Sequence, residues 1–186
     1  MDNVWRSGFL TTGGPANVTP VAKHTIVLVM GVSGSGKTTI GAMLAGRLGW
    51  PYAEADSFHP LANIEKMSAG VPLTDADRAP WLQAIAAWVD QQIAAGGRGV
   101  VTCSALKRAY RDMLRRPQVR TVYLRGSREL IAARLTARHG HFFQPAMLDS
   151  QYAALEEPGP DEDVLTVAIN GSPAEIVDEI VAKLDG

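Results

Sequence analysis

Cysteine is almost absent from this chain, with Cys103 the single one in 186 residues. An internal disulfide framework and a multi-cysteine zinc site are thereby excluded. Neither sign of charge is in excess: 18 Lys and Arg stand against 19 Asp and Glu, a net charge of -1. That balance argues against a nucleic-acid binder working through bulk electrostatics, although a compact anion site fits within it. No apolar run approaches the length of a membrane span, so no membrane association is expected. The first 24 residues lack the apolar core of a secretory signal and are rich in Gly, Pro, Thr and Asn. They read as a mobile extension, and the chain is expected in the cytoplasm. Asn17-Val18-Thr19 has the pattern of a glycosylation acceptor, but without a secretory signal it is a chance match. The rest is ordinary for one globular domain, with 46% hydrophobic and 20% charged residues.

The most specific stretch present is G-V-S-G-S-G-K-T over Gly31–Thr38, which fills every fixed position of the G-x-x-x-x-G-K-[ST] phosphate-binding loop. Gly31, Gly34 and Gly36 let the main-chain N–H groups of Val32, Ser33, Ser35 and their neighbours curl around phosphate oxygens. Lys37 is the candidate for the β- and γ-phosphates, and the Thr38 hydroxyl, followed by Thr39, is the candidate ligand for Mg²⁺. The flanks agree. Thr25–Met30 is a β-branched, apolar run of the kind a buried parallel strand carries. Thr38–Leu48 places Ile40, Leu44 and Leu48 on one helical face. The loop then lies between strand and helix, with the positive end of the helix dipole toward the phosphates.

Strand-like and helix-like segments alternate along the chain. Strands are expected at Thr25–Met30, Tyr52–Ala55, Gly99–Cys103, Thr121–Leu124 and Val164–Ile169. Helices are expected at Thr38–Leu48, Leu61–Ser68, Arg78–Ala95, Lys107–Arg115, Arg128–Arg138, Ala146–Leu155 and Pro173–Leu184. The last opens on a capping box of Ser172 and Glu175, with Pro173 at the first helical position. Trp81 and Trp88 fall on the apolar side of their helix and read as core. Alternation of this kind predicts an α/β fold, a five-stranded parallel sheet with helices on both faces and ligands at the carboxyl ends of the strands. The expected organisation is an extension over residues 1–24 and a single domain over 25–186.

Residues with chemistry do follow the strand ends. Asp56 comes just after the second strand, where its carboxylate can orient an acceptor hydroxyl or take its proton; a helix cap or a water-held Mg²⁺ partner is the alternative. His59 and Pro60 open the next helix, and His59 reads as a substrate contact or as a capping or packing histidine. Lys66 is a candidate for an anionic acceptor or a solvated surface charge. Arg78 is a candidate carboxylate clamp, with a salt bridge to Asp75 or Asp77 as the alternative. Ser104–Lys107 follows the third strand, with Ser104 and Lys107 able to face a substrate. Arg134 and Arg138 are four apart on one helical face. The Gly-His-Phe-Phe that follows suggests a hinged lid around 134–150, closing positive charge over a transferring phosphoryl group, with His141 on the substrate side. An ordinary basic helix face is the alternative. Asn170–Pro173 lies where an adenine base can pack.

Taken together these stretches resemble the gluconate kinases, small P-loop kinases related to the shikimate and nucleoside monophosphate kinases. The resemblance is carried by the phosphate loop, D-S-F-H-P over Asp56–Pro60, N-I-E-K-M over Asn63–Met67 and G-V-P-L-T-D-A-D-R-A-P-W-L over Gly70–Leu82. It continues through C-S-A-L-K over Cys103–Lys107, Tyr110-Arg111, A-R-H-G-H-F-F over Ala137–Phe143, L-E-E-P over Leu155–Pro158 and D-V-L over Asp163–Leu165. It covers about Thr25 to Gly186, and the motifs downstream of the loop are far more specific than the loop itself. It implies a P-loop kinase fold with a mobile lid, and ATP-dependent phosphorylation of D-gluconate at its 6-hydroxyl. It further implies Mg²⁺, a homodimer, catalytic roles for Lys37, Asp56, Arg134 and Arg138, and substrate contacts from His59, Lys66, Arg78, Ser104, Lys107 and His141.

The third strand departs from the general pattern of such nucleotide-binding proteins because it carries no acidic residue. Magnesium is therefore expected to rely on Thr38, phosphate oxygens and waters, with Asp56 the carboxylate behind them. Two alternatives to gluconate phosphorylation are a kinase of another small sugar acid or polyol, and a nucleotide-binding module without an acceptor. Shikimate itself is disfavoured, because C-S-A-L-K stands where a glycine-rich turn is expected.

Overall fold

The computed structural model describes residues 24–139 and 145–185. Five parallel strands form one sheet in the order β2-β3-β1-β4-β5. They are β1 Ile26–Met30, β2 Tyr52–Glu54, β3 Gly99–Thr102, β4 Val119–Arg125 and β5 Leu165–Ala168. Seven helices connect and cover them: α1 Lys37–Leu48, α2 Leu61–Ser68, α3 Asp75–Ala94, α4 Arg108–Leu114, α5 Arg128–His139, α6 Pro145–Ala154 and α7 Pro173–Leu184. The expected α/β architecture is the one observed.

β1 sits at the centre, paired to β3 on one side and β4 on the other. Its side chains alternate between two cores, as the pleat demands. Val27 and Val29 pack with Ile40 and Leu44 of α1, Ile131 of α5 and Ile176 and Ile180 of α7. Ile26, Leu28 and Met30 pack with Trp81, Leu82, Ile85 and Val89 of α3 and Leu114 of α4. Burial on both faces explains why β1 is apolar without interruption. Trp81 is core, as expected, and Trp88 is half-buried against the same cluster. The strand order reverses beside β1, and the loop leaving its carboxyl end lies at that reversal, where open α/β sheets place their ligands.

The largest boundary correction is at α3. The helix expected from Arg78 begins at Asp75, with Pro80 inside it. The apolar periodicity of Trp81, Leu82 and Ile85 does not mark the first turn, whereas the cap does. Thr74 Oγ1 accepts from the Asp77 N–H at 3.2 Å, and the Asp77 carboxylate accepts from the Thr74 N–H at 2.9 Å. That capping box fixes the start before the proline is reached. The box at Ser172 and Glu175 forms as expected. Residues 1–23 and 140–144 lie outside the described part, and with them most of the expected extension, His141 and the Gly-His-Phe-Phe segment.

Candidate active site

Met30 ends β1, and the chain enters the phosphate loop. Gly34 has φ +81, and a Cβ there would lie 2.8 Å from Leu135 Cγ, so only glycine allows α5 to come this close. Gly36 has φ +96 and caps α1 in the left-handed region, which turns the first N–H groups of the helix toward the loop. Ser35 Oγ is buried and without a hydrogen-bond partner among the described residues. The pocket over this loop is lined by Gly34, Gly36, Lys37, Thr38, Arg134 and Leu135. Arg134 is therefore brought to the phosphate loop, and its Nη2 donates to the Ile169 carbonyl at 2.6 Å. Arg138 lies on the same helix, outside the residues whose side chains are described.

Lys37 Nζ donates to the Val32 carbonyl at 3.0 Å, which folds the side chain back over the loop. Burial lowers its pKa, and the nearby Cys103, Asp56 and Glu54 groups work against that shift. Burial also pushes the Cys103 thiol up to about 12, which suits a packed residue and not a nucleophile. Thr38 Oγ1 donates to the Glu54 carboxylate at 2.5 Å. Sequence reasoning missed Glu54 because it counted that residue inside an apolar strand. The register explains what it does there. Glu54 at the end of β2 lies beside Thr102 at the end of β3. The neighbouring strand thus supplies the carboxylate that β3 lacks, and Glu54, not Asp56, is the acid in contact with Thr38.

Asp56 follows in a 3-10 turn over Ala55–Phe58, exposed, with no hydrogen bond to its carboxylate among the described residues. It lies within electrostatic reach of Lys37 and of His59. The His59 ring stacks on Trp81 with centroids 4.5 Å apart and planes 7° apart. Trp81 Nε1 donates to the Ala55 carbonyl at 2.7 Å, so the tryptophan also holds the turn that carries Asp56.

The remaining acceptor-side cations converge on two carboxylates. Lys107 Nζ donates to Asp75 Oδ2 at 2.7 Å, and the Tyr110 hydroxyl donates to Asp75 Oδ1. Arg78 Nη1 stands 3.9 Å from the same Asp75 oxygen, a long contact that leaves the guanidinium half-exposed. Lys66 Nζ pairs with Asp77 at 2.6 Å, and this pair with the Thr74 bonds lowers the Asp77 pKa to about 2. The Ser104 carbonyl accepts from the Gly31 N–H at 3.4 Å, joining the loop after β3 to the phosphate loop.

That second loop has a buried brace. Ala105 adopts φ +42, rare for a residue with a Cβ. Arg111 Nη1 donates to the Ala105 and Leu106 carbonyls at 3.2 and 3.0 Å. Its Nε and Nη2 form a two-pronged pair with Glu162 at 2.5 and 2.9 Å. Both side chains are 3% exposed. The Glu156 N–H donates to the Leu106 carbonyl at 2.9 Å, from the same connection between α6 and β5 that carries Glu162.

The shikimate kinase family profile matches residues 33–185. A gluconokinase of Gluconobacter oxydans is 48% identical over 161 residues, which cover 86% of this chain and 90% of that protein. The thermoresistant gluconokinase of Escherichia coli is 47% identical over 152 residues, 79% of this chain and 86% of that one. The chain belongs to the shikimate kinase family, in its gluconokinase branch. In three dimensions, a gluconokinase from Sinorhizobium meliloti superposes with a TM-score of 0.78 at 44% identity, covering 88% of this chain and 93% of that chain. The P-loop kinase fold expected from the sequence is shared with these relatives.

Proposed function

We infer that the chain transfers the γ-phosphoryl group of ATP to the 6-hydroxyl of D-gluconate, giving 6-phosphogluconate and ADP. One observation carries this most directly: the Thr38–Glu54 bond ties the phosphate loop, with Lys37, to the end of β2, and the turn that follows holds the Asp56 carboxylate exposed. A donor phosphate and an acceptor hydroxyl can meet between Lys37 and Asp56. The gluconokinases at 40–48% identity name the acceptor.

In this reading the main chain of Gly31–Thr39 cradles the ATP phosphates. Asp56 accepts the proton of the attacking hydroxyl as its oxygen bonds to the γ-phosphorus and the bond to the ADP oxygen breaks. Lys37 and Arg134, joined by Arg138, stabilise the charge spread over the transferring group. Arg78 takes the gluconate carboxylate, which offers a closer partner than Asp75 at 3.9 Å. His59, Ser104, Lys107 and Lys66 face the hydroxyl positions, and His141, outside the described residues, is carried as a further substrate contact.

Magnesium fits the residues present. Thr38 Oγ1 against the Glu54 carboxylate is an all-oxygen pair of the kind a hard cation takes. When bound, Mg²⁺ neutralises charge on the β- and γ-phosphates.

The catalytic unit spans residues 25–186, with 1–24 an extension and the lid around 134–150; the reading also takes the chain as a cytoplasmic homodimer. No helix among the described residues is long and apolar enough to cross a membrane. The test is ADP release with ATP and Mg²⁺ against D-gluconate, other aldonates, shikimate and nucleoside monophosphates. Gluconate-dependent release far above the others is expected, and its absence refutes the assignment.

A further inference from the structure

Asn63 is one of the few buried polar residues, 4% exposed, on α2 next to His59. Its Nδ2 donates to the Asp77 carbonyl at 2.8 Å and stands 3.4 Å from His59 Nδ1. A carbonyl oxygen only accepts, so the amide nitrogen, not the amide oxygen, must face Asp77. The same nitrogen has a second proton to offer, and His59 Nδ1 is the nitrogen within its reach. An amide N–H only donates, so His59 Nδ1 must offer a lone pair, and the ring proton sits on Nε2. Among the described residues Nε2 has no hydrogen-bond partner. The ring plane is fixed by the stack on Trp81, which is itself tied to Ala55. Burial lowers the His59 pKa below its ordinary 6.5; Asp56 opposes the shift and Arg78 reinforces it. The ring is therefore neutral at neutral pH.

We propose that Asn63 is a positioning residue that locks His59 as the Nε2–H tautomer, and that this N–H donates to an oxygen of the sugar-acid acceptor. The proposal rests on the gluconate-kinase reading of the site and adds what His59 contributes. It is a directed, uncharged donor beside Asp56, able to hold a hydroxyl or carboxylate oxygen without competing for the proton that Asp56 removes. Asn63 touches no substrate and acts only through the ring.

The ring nitrogens can be read directly. In the full chain labelled with ¹⁵N-histidine at pH 8, long-range proton–nitrogen correlation separates protonated from unprotonated ring nitrogens. His59→Gln identifies the His59 signals among the four histidines. Nε2 protonated and Nδ1 unprotonated is expected. A proton on Nδ1, or an averaged mixture of tautomers, overturns the proposal. Asn63→Asp sets a carboxylate opposite Nδ1, so the proton should move to Nδ1 and the KM for gluconate should rise about tenfold, a hydrogen bond's worth, with the KM for ATP unchanged. His59→Phe keeps the stack and removes the donor, so it should show the same rise even where Asn63→Asp does not fold, while His59→Gln, which retains an N–H, should recover part of it. An unchanged gluconate KM in His59→Phe overturns the substrate contact. If the wild type turns over no gluconate, the functional reading fails while the tautomer remains readable; if it does and Nδ1 is protonated, only this inference fails.

Discussion

In the proposed site the phosphate loop offers the ligand main-chain N–H groups beside Lys37 and Thr38, and glycines fix the direction of that main chain. On the proposed acceptor side the groups are side chains, and other side chains fix their direction. Gly34 and Gly36 hold positive φ with no help beyond the fold. Asp56, His59, Arg78 and Lys107 are aimed through Trp81, Asn63, Asp75 and the Arg111–Glu162 brace. A backbone device tolerates few substitutions at fixed positions and serves any nucleoside triphosphate. A side-chain device depends on a network and can be rebuilt for a new acceptor. The donor side is accordingly common to many proteins, and the acceptor side names the substrate.

The brace is the place to break the acceptor side alone. Arg111→Met leaves the Glu162 carboxylate buried without its partner and is expected to cost about 3–5 kcal/mol, measured by urea unfolding. It should also release Ala105 and raise the gluconate KM while leaving the ATP KM unchanged. The pH dependence has a defined sign. Arg111 lowers the Glu162 pKa from its ordinary 4.5, so the pair's contribution is present above that value and is lost as pH falls through the lowered one. Acid unfolding of Arg111→Met should lack that component. If Arg111→Met weakened ATP as much as gluconate, the two sides would not be separable.

The donor side breaks at Lys37. Lys37→Ala is expected to lower kcat by about a thousandfold in the ADP-release assay, because it removes a fixed charge from the transferring group. At the junction, Asp56→Asn should lower kcat by about a hundredfold with ATP affinity intact, as loss of a general base does. An unchanged kcat would remove Asp56 from the chemistry. The smallest effect is expected at Arg78. Arg78→Ala should raise the gluconate KM about tenfold with little change in kcat. A loss of stability with unchanged KM would make it an ion-pair partner of Asp75 only.

The same division governs what could be read from the sequence. The sheet, the loop and the capping box at Ser172 were legible because each is a local pattern of residue types. The spacing of Arg134 and Arg138 marked one helical face but not that Arg134 lines the pocket over the loop. Glu54 was not legible, because its role depends on the register of β2 against β3, which no local pattern encodes. The pairing of Arg111 with Glu162 spans distant segments and leaves no periodic trace. The start of α3 was expected at Arg78 and lies at Asp75, because the capping box of Thr74 and Asp77 was not read.

The most direct measurement is phosphorus NMR of the full chain turning over ATP, Mg²⁺ and D-gluconate. The account predicts a phosphomonoester at the C6 oxygen of gluconate, growing in step with ADP. ADP accompanied by inorganic phosphate alone, or an ester at a different oxygen, would contradict it.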